Sequence, residues 1–426
     1  MSTPSIRVRH ESRFRPVEAG AFRILLRVSA PEVVRHERQR PPLDLAFVVD
    51  RSGSMGGGPF ELARQGVEHA LRLLNERDTA SVVVYDDRID TLLSQRPLDH
   101  DAHDKAVRRL QRVRPRGSTD LAGGWLTGCD QLAPIADGTL SVREGGPRSI
   151  VRALLLSDGL ANVGMTDSHE IARHAAELAA RGITTSTFGV GDHYDEELLA
   201  RMADSGRGHF HHIADATLIP TVFAGELGEM LEMAMRDVVL TIRWPDGWGA
   251  SLMNDLPYER VDGAVRMSLG EMESRATRSM VWELGLPGSE HGRRDEVEIR
   301  LTWRDAVSDE ERSTTYLHPI ETNHVPGVQD TEVLDEVAHL MGARAKAEAV
   351  ALNKMGRYDQ AESVIRHAAM AMPRTATGQS VARELLEDVA PSMAFAASPA
   401  DLKRHYANSR TVQRSRKDYA KPVDKT

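Results

Sequence analysis

The residue that most restricts what this chain can fold into is Asp50. It ends the run Leu43-Asp-Leu-Ala-Phe-Val-Val-Asp50, and Ala46 to Val49 within it is apolar and rich in β-branched side chains. A short run of that kind predicts a strand buried on both faces of a parallel sheet. Ser52 and Ser54 follow at alternate positions with Gly53 between them, Met55 to Pro59 form a Gly-rich turn, and a helical pattern begins after it. This order sets one carboxylate and two hydroxyls at the carboxyl end of a central strand, the edge at which open α/β sheets bind their ligands. All three groups offer hard oxygens, which suit Mg²⁺ or Mn²⁺ better than softer metals.

Two distant stretches extend the set. Arg116-Gly-Ser-Thr-Asp-Leu121 reads as a loop entering a helix and offers the Thr119 hydroxyl. Ala153-Leu-Leu-Leu-Ser-Asp-Gly159 reads as a second buried strand that ends in the carboxylate of Asp158. In this order and at these distances, D-x-S-x-S, G-S-T-D and a hydrophobic strand ending S-D-G resemble the von Willebrand factor A (VWA) domain. The family's metal-ion-dependent adhesion site (MIDAS) falls on Asp50, Ser52, Ser54, Thr119 and Asp158, and all five match its pattern. Taken singly, Ser52 and Ser54 also suit caps or turns, Thr119 suits a helix N-cap, and Asp158 suits a turn with Gly159. The specificity lies in the three parts together.

The resemblance implies a bound Mg²⁺, with Mn²⁺ or Ca²⁺ as alternatives, and a partner protein whose Glu or Asp carboxylate completes its coordination. The physical reason is that a hard cation held mainly by hydroxyls is under-neutralised and attracts an anionic oxygen. The metal then belongs to a binding surface, and no catalysis follows from it.

Around this core the chain changes character in steps. Residues 1–40 contain two alternating runs, Ile6 to His10 and Ala21 to Val28, too few to form a stable sheet alone. Arg35 to Pro42 is charged, ends Pro-Pro, and marks a boundary. Residues 43–233 alternate strands and helices, the pattern of a doubly wound, mostly parallel Rossmann-like sheet. Residues 236–321 carry five alternating runs separated by turn residues, as in a β-sandwich. The orphan N-terminal strands are expected to complete that sandwich, so that the α/β domain is an insertion in it. Residues 330–400 are helical, and Gly356-Arg-Tyr within them resembles one tetratricopeptide unit, which cannot bury its own face and so predicts a docked hairpin. Residues 403–426 are basic and polar, predicting a disordered tail.

Composition narrows the functional class. A net charge of −9 disfavours a nucleic-acid partner. Cys129 is the only cysteine, so no intrachain disulfide forms and a reducing compartment fits. Met1 to Phe14 has no apolar signal core, and no segment approaches the roughly 20 apolar residues of a membrane span. These features predict a cytoplasmic protein, and the arrangement of an A domain inserted in a β-sandwich resembles bacterial members of the family.

Other motifs were weighed against this reading. Asp86 and Asp87 also end a strand, and pairing them with Asp50 would suggest a Mg²⁺-dependent phosphatase. That chemistry wants a second aspartate where Ser52 stands, so solvent-facing turn residues are the expectation for Asp86 and Asp87. His209 and His211 share one strand face, next to His212. No cysteine or further spaced histidine supports a Zn²⁺ site, so exposed strand histidines are expected. There is no P-loop and no G-x-S-x-G elbow. The sequence thus reads as a non-enzymatic, metal-dependent protein-binding module that assembles a complex. The alternative within binding is an accessory subunit of an AAA+ ATPase of the MoxR or chelatase-like kind.

Overall fold

The computed structural model describes residues 3–33, 40–138, 148–325 and 327–415. Part of the predicted boundary segment 35–42 and the last residues of the predicted tail, 416–426, lie outside them. Contacts divide the chain into two compact units, one of residues 40–232 and one built from the segments on either side of it. Three strands come first: β1 (Ser5–His10), β2 (Arg15–Pro16) and β3 (Gly20–Ser29).

The inner unit contains β4 (Leu43–Asp50), α1 (Pro59–Leu73), β5 (Thr79–Tyr85), β6 (Ile89–Pro97), α2 (His100–Leu110) and α3 (Leu121–Ala136). It continues through β7 (Ile150–Ser157), α4 (Ser168–Ala180), β8 (Thr184–Val190), α5 (Glu196–Ser205), β9 (Arg207–Ile213) and α6 (Ile219–Leu231). The six strands pair in the order β6-β5-β4-β7-β8-β9, parallel except for the β5–β6 hairpin. From β4 the chain winds outward through β5 and β6, then returns to β7 on the other side of β4. The carboxyl ends of β4 and β7 therefore flank the switch point, where a crevice opens because the connections leave in opposite directions.

Every residue of β4 is buried, as a central strand covered on both faces requires. Ala46 and Val48 face α3, α4 and α5 in one cluster with Trp125, Cys129, Ile171 and Leu198. Phe47 points the other way. It and Phe188 stack on Phe223 of α6, with ring centroids 6.4 and 4.4 Å apart. The helix α3 lies very close to the sheet: a Cβ added at Gly128 would come 2.3 Å from Cγ2 of Val48, and one at Gly124 would come 2.4 Å from the Tyr85 ring. Glycine at these two positions sets the height of α3 over β4 and β5.

The outer unit adds β10 (Met233–Arg243), β11 (Gly249–Leu252), β12 (Glu259–Val261), β13 (Ala264–Glu273), β14 (Thr277–Leu286), β15 (Arg294–Asp305) and β16 (Glu311–Asn323). Its strands form two sheets, β1-β3-β14-β11 and β12-β13-β10-β15-β16-β2. The N-terminal strand β3 pairs with β14 from Gly20↔Leu286 to Ser29↔Thr277, so residues far apart in sequence make one ladder. Alternation then sorts β3: Phe22, Ile24, Leu26 and Val28 fill the core between the sheets, while Leu25 faces outward.

That outward face is covered by α7 (Thr331–Lys354), whose Val333, Val337 and Leu340 pack on Leu25 and Val281. Gly356, at φ +74°, turns the chain into α8 (Tyr358–Met370), and α9 (Ala376–Glu384), α10 (Ala390–Met393) and α11 (Pro399–Gln413) follow. The last of these corrects the sequence reading, because residues 403–413 are helical where a disordered tail was expected. Ser398 caps α11 by accepting from Asp401 N, Pro399 occupies its first turn, and Leu402 and Tyr406 pack into the helical core. The buried side of α11 is otherwise Lys403, His405, Ser409 and Gln413. Because that side is polar, no apolar period marks the helix in the sequence. Among the described residues no helix is long and apolar enough to cross a membrane.

The close approach of α3 gives a direct test. Gly128→Ala is expected to destabilise the protein by about 1–3 kcal/mol through overpacking. The loss will be smaller in a Val48→Ala background, where the clashing Cγ2 is gone. Urea unfolding of the four proteins of that double-mutant cycle measures it.

Candidate metal centre

Asp50 is fully buried at the end of β4, and both of its oxygens are engaged. Oδ1 accepts from the backbone N–H of Ser52 at 2.8 Å, and Oδ2 accepts from the Ser157 hydroxyl at 2.6 Å. The first bond folds the chain back on itself straight after the strand. The second ties β4 to β7 across the switch point. Ser52 Oγ then lies 3.1 Å from Ser54 Oγ, and the Ser54 hydroxyl donates to Oδ1 of Asp158 at 2.7 Å. Ser52 makes no side-chain cap for the short turn Gly53–Met55 that follows it. Its hydroxyl faces the site instead.

Thr119 arrives from the loop before α3. That loop is stitched to the strand ends by backbone hydrogen bonds from Arg116 N to Arg51 O, Gly53 N to Gly117 O and Asp120 N to Asp86 O, of 2.8, 3.2 and 2.9 Å. Gly117 sits at φ +67°, and a Cβ there would strike Oδ1 of Asp87 at 2.3 Å, so the turn needs glycine. The N-cap of α3 is Asp120, which accepts from Gly123 N at 2.9 Å, so the Thr119 side chain is not used for capping. Asn162 holds Thr119 from the far side: its Oδ1 accepts from Thr119 N at 2.8 Å, and its N–H donates to Thr119 O at 3.2 Å.

A simple geometric probe shows where these groups converge. A Cβ built on Gly159 would lie 3.3 Å from Thr119 Oγ1, 3.5 Å from Ser54 Oγ and 3.9 Å from Ser52 Oγ. Three hydroxyls from two loops thus surround one small space beside the Asp158 carboxylate, with Gly159 of a third loop at its edge. Ser54 is exposed, so the space opens to solvent, while Thr119 and Asp158 are only 3% and 8% exposed. All five residues named from the sequence are therefore brought together. The donor set is all oxygen, with two carboxylates behind three hydroxyls, and it fits a hard divalent cation.

The electrostatics agree with that fit. Burial pushes the Asp50 carboxyl above its ordinary range, against the pull of hydrogen bonds from Ser157 and Ser52. Burial pushes Asp158 up to about 6, with a further push from the Asp50 charge and a partial offset from the Ser54 hydroxyl. Two buried carboxylates close together resist ionising, and a cation between them would offset that cost.

The site also uses residues that the sequence reading passed over or assigned differently. Ser157 and Asn162 orient Asp50 and Thr119 as described. Asp86 is buried and not solvent-facing, while Asp87 is exposed. Asp86 Oδ2 accepts from Arg51 Nε at 3.0 Å and Arg116 Nε at 2.8 Å, and Oδ1 accepts from Arg88 N at 2.7 Å. Burial alone would raise this carboxyl, but those bonds hold it below the usual range. With its oxygens committed to two guanidiniums, Asp86 is a brace under the metal loops rather than an acid–base partner for Asp50. The sequence hint was Arg51 inside D-x-S-x-S, a cation one residue from the cluster. His209 and His211 are also not exposed: their side chains are 13% and 9% accessible and meet Glu226 of α6. Only the alternation of β9, and not the distant α6 partner, was visible in the sequence.

Residues 44–225 match the family model of the von Willebrand factor type A domain, and the chain carries that domain. Over 235 residues the chain is 29% identical to YfbK of Escherichia coli (strain K12), covering 55% of this chain and 39% of YfbK. Over 184 residues it is 25% identical to inter-alpha-trypsin inhibitor heavy chain H3 of Rattus norvegicus, covering 42% of this chain and 20% of that protein. The matches thus span well under half the length of these curated relatives. A solved von Willebrand factor type A protein from Catenulispora acidiphila superposes with a TM-score of 0.73 over 96% of this chain and 97% of that one, at 16% identity. The ArnB paralog VWA2 from Sulfolobus acidocaldarius does so with a TM-score of 0.57 over 97% and 98%, at 17% identity. At these identities the likeness is one of fold.

The raised carboxyls set a pH dependence. Without metal, the folded protein keeps on Asp158 a proton that the unfolded chain releases near 3.8. Stability from this group is therefore present at low pH and lost as pH rises from about 4 to about 6. Chelator-treated protein is expected to lose on the order of 2 kcal/mol across that window relative to Asp158→Asn. Added divalent cation will restore it in the wild type only. Urea midpoints at pH 4.5 and pH 7 decide this.

Proposed function

We propose that this protein is a non-enzymatic binding module that recognises an acidic side chain of a partner protein through Mg²⁺ held by Asp50, Ser52, Ser54, Thr119 and Asp158. The observation that carries the reading is the space beside Gly159, ringed by the hydroxyls of Thr119, Ser54 and Ser52 and backed by Asp158. Bound there, Mg²⁺ supplies Lewis acidity and a coordination position for a carboxylate oxygen. The chain's own residues do the rest. Ser157 and the Ser52 N–H fix Asp50, Asn162 fixes the Thr119 loop, and the Arg51–Asp86–Arg116 brace holds the two loops at one height.

The choice of an acidic ligand rests on charge. The groups nearest the space are neutral hydroxyls, so the positive charge of a divalent ion is only partly balanced and an anionic oxygen is favoured over a neutral one. Leu160, next to Gly159 and 56% exposed, adds an apolar contact at the rim. A protein surface with a carboxylate beside an aliphatic patch fits both features. Cys129 is buried and carries no disulfide, which suits a cytoplasmic setting.

The test is affinity capture from native cell extract with the wild-type chain and Asp50→Ala/Ser52→Ala, each with Mg²⁺ and with EDTA. The expected result is a partner retained by wild type with Mg²⁺ and absent from the other three arms. Retention that ignores both mutation and chelation overturns the reading. Repeating the wild-type arm with and without ATP reads out the AAA+ alternative, which predicts a nucleotide-dependent ATPase among the captured proteins.

A further inference from the structure

We propose that the edge of the inner sheet holds a second, chemically different metal site, a Zn²⁺ site formed by His209, His211 and Glu226, with Glu229 as fourth ligand. It is separate from the hydroxyl cradle and does not depend on it.

The site is built by two periodicities meeting. His209 and His211 lie two residues apart on β9, the edge strand, so their rings project from the same face. Glu226 and Glu229 lie three apart on α6, so both carboxylates look the same way. Where the two surfaces meet, His209 Nδ1 and His211 Nε2 each lie 2.9 Å from Oε2 of Glu226, and His209 Nδ1 lies 3.2 Å from Oε2 of Glu229. One ligand atom from each of His209, His211 and Glu226 falls within 4.8 Å of the other two. At bond lengths of about 2.0–2.1 Å, neighbouring ligands of a tetrahedral Zn²⁺ sit roughly 3.3 Å apart. Small rotations of these side chains reach that spacing.

The surroundings orient the ligands as outer-shell partners do in metal sites. Arg152 Nη1 and Ser186 Oγ donate to Oε1 of Glu226 at 2.7 and 2.6 Å, which leaves Oε2 aimed at the two imidazoles. Ser186 Oγ also accepts from the His209 N–H at 3.1 Å and so fixes β9 beside it. The His211 ring is clamped by stacking on Phe188, with centroids 4.9 Å apart and planes inclined by 18°. Glu226 is fully buried, whereas the two imidazoles keep a little exposure, so an ion has a path in. Two imidazole nitrogens with carboxylate oxygens form a donor set suited to Zn²⁺ and poorly matched to Mg²⁺. The same fold thus offers a hard, all-oxygen site at the switch point and a nitrogen-containing site at the sheet edge.

A bound ion here would pin α6 to β9. Such a tether joins the closing helix of the inner unit to the edge of its sheet, next to hydrogen bonds that are already present.

The test uses the full chain carrying Asp50→Ala/Ser52→Ala, so that uptake at the hydroxyl cradle does not contribute. Chelator-stripped protein is titrated with Zn²⁺ against a chromophoric chelator, and with Co²⁺ while the visible ligand-field bands are followed. One equivalent of Zn²⁺ and the intense bands of tetrahedral Co²⁺ are expected. His209→Ala or His211→Gln in that background will weaken binding by about 100-fold or more, with unchanged circular dichroism. Absence of a bound equivalent in the Asp50→Ala/Ser52→Ala chain overturns the proposal and leaves a hydrogen-bonded histidine–glutamate cluster; that result needs no histidine variant to fold. Uptake that survives the histidine variants but disappears in His10→Ala/His318→Ala also overturns it, because the His10–His318 ring contact, 2.6 Å between Nε2 atoms, would then be the binding site.

Discussion

A carboxylate with no exposure to solvent ends a central strand that is buried along its whole length, and the organisation of the sheet edge follows from satisfying it. An ionised or hydrogen-bonding carboxyl cannot be left unpaired in such a place without a large cost. Asp50 finds its two donors on opposite sides, one in its own chain at Ser52 N and one across the switch point at Ser157 Oγ. The first forces the chain to reverse at once, which brings the Ser52 and Ser54 hydroxyls round to the crevice. The second locks the ends of β4 and β7 level with each other, which sets Asp158 beside Ser54. The pattern D-x-S-x-S is thus a folding instruction as much as a list of candidate ligands.

The carboxylates at this edge are treated in two ways. Asp86 receives two guanidiniums and is held ionised and neutralised as part of a brace. Asp50 and Asp158 are met by hydroxyls and a backbone N–H, which satisfy their hydrogen bonding without cancelling their charge. The difference separates scaffold from site. The structural carboxylate is matched by cations within the chain; the two candidate ligands are held in position with no cation of the chain's own beside them.

The fold class was legible because the inner unit obeys simple periodicities. The apolar runs at Ala46 to Val49 and Ala153 to Leu156, each followed closely by a carboxylate, mark the two central strands, and the alternating runs mark the two sheets of the outer unit, whose segments flank the inner one in sequence. The five candidate ligands were readable because each sits at the junction of a strand or helix with its loop, where sequence signals are sharpest. What was not legible depends on partners distant in sequence. The burial of Asp86 needs Arg51 and Arg116, the sheltered state of His209 and His211 needs Glu226 on α6, and the helical state of residues 403–413 needs the helices beneath a polar face. Apart from Arg51 inside D-x-S-x-S, none of these partnerships leaves a local period or motif.

The closeness of α3 to the sheet has a further consequence through the single thiol of the chain. Cys129 lies on that helix, one residue beyond Gly128, and is 1% exposed, with burial pushing its thiol far above the usual range. In the folded protein it is both sheltered and protonated, so a thiol-alkylating reagent reaches it only when the packing of α3 on the sheet is broken. Because Thr119 stands just ahead of the same helix, the packing that shelters the thiol also seats Thr119 at the cradle.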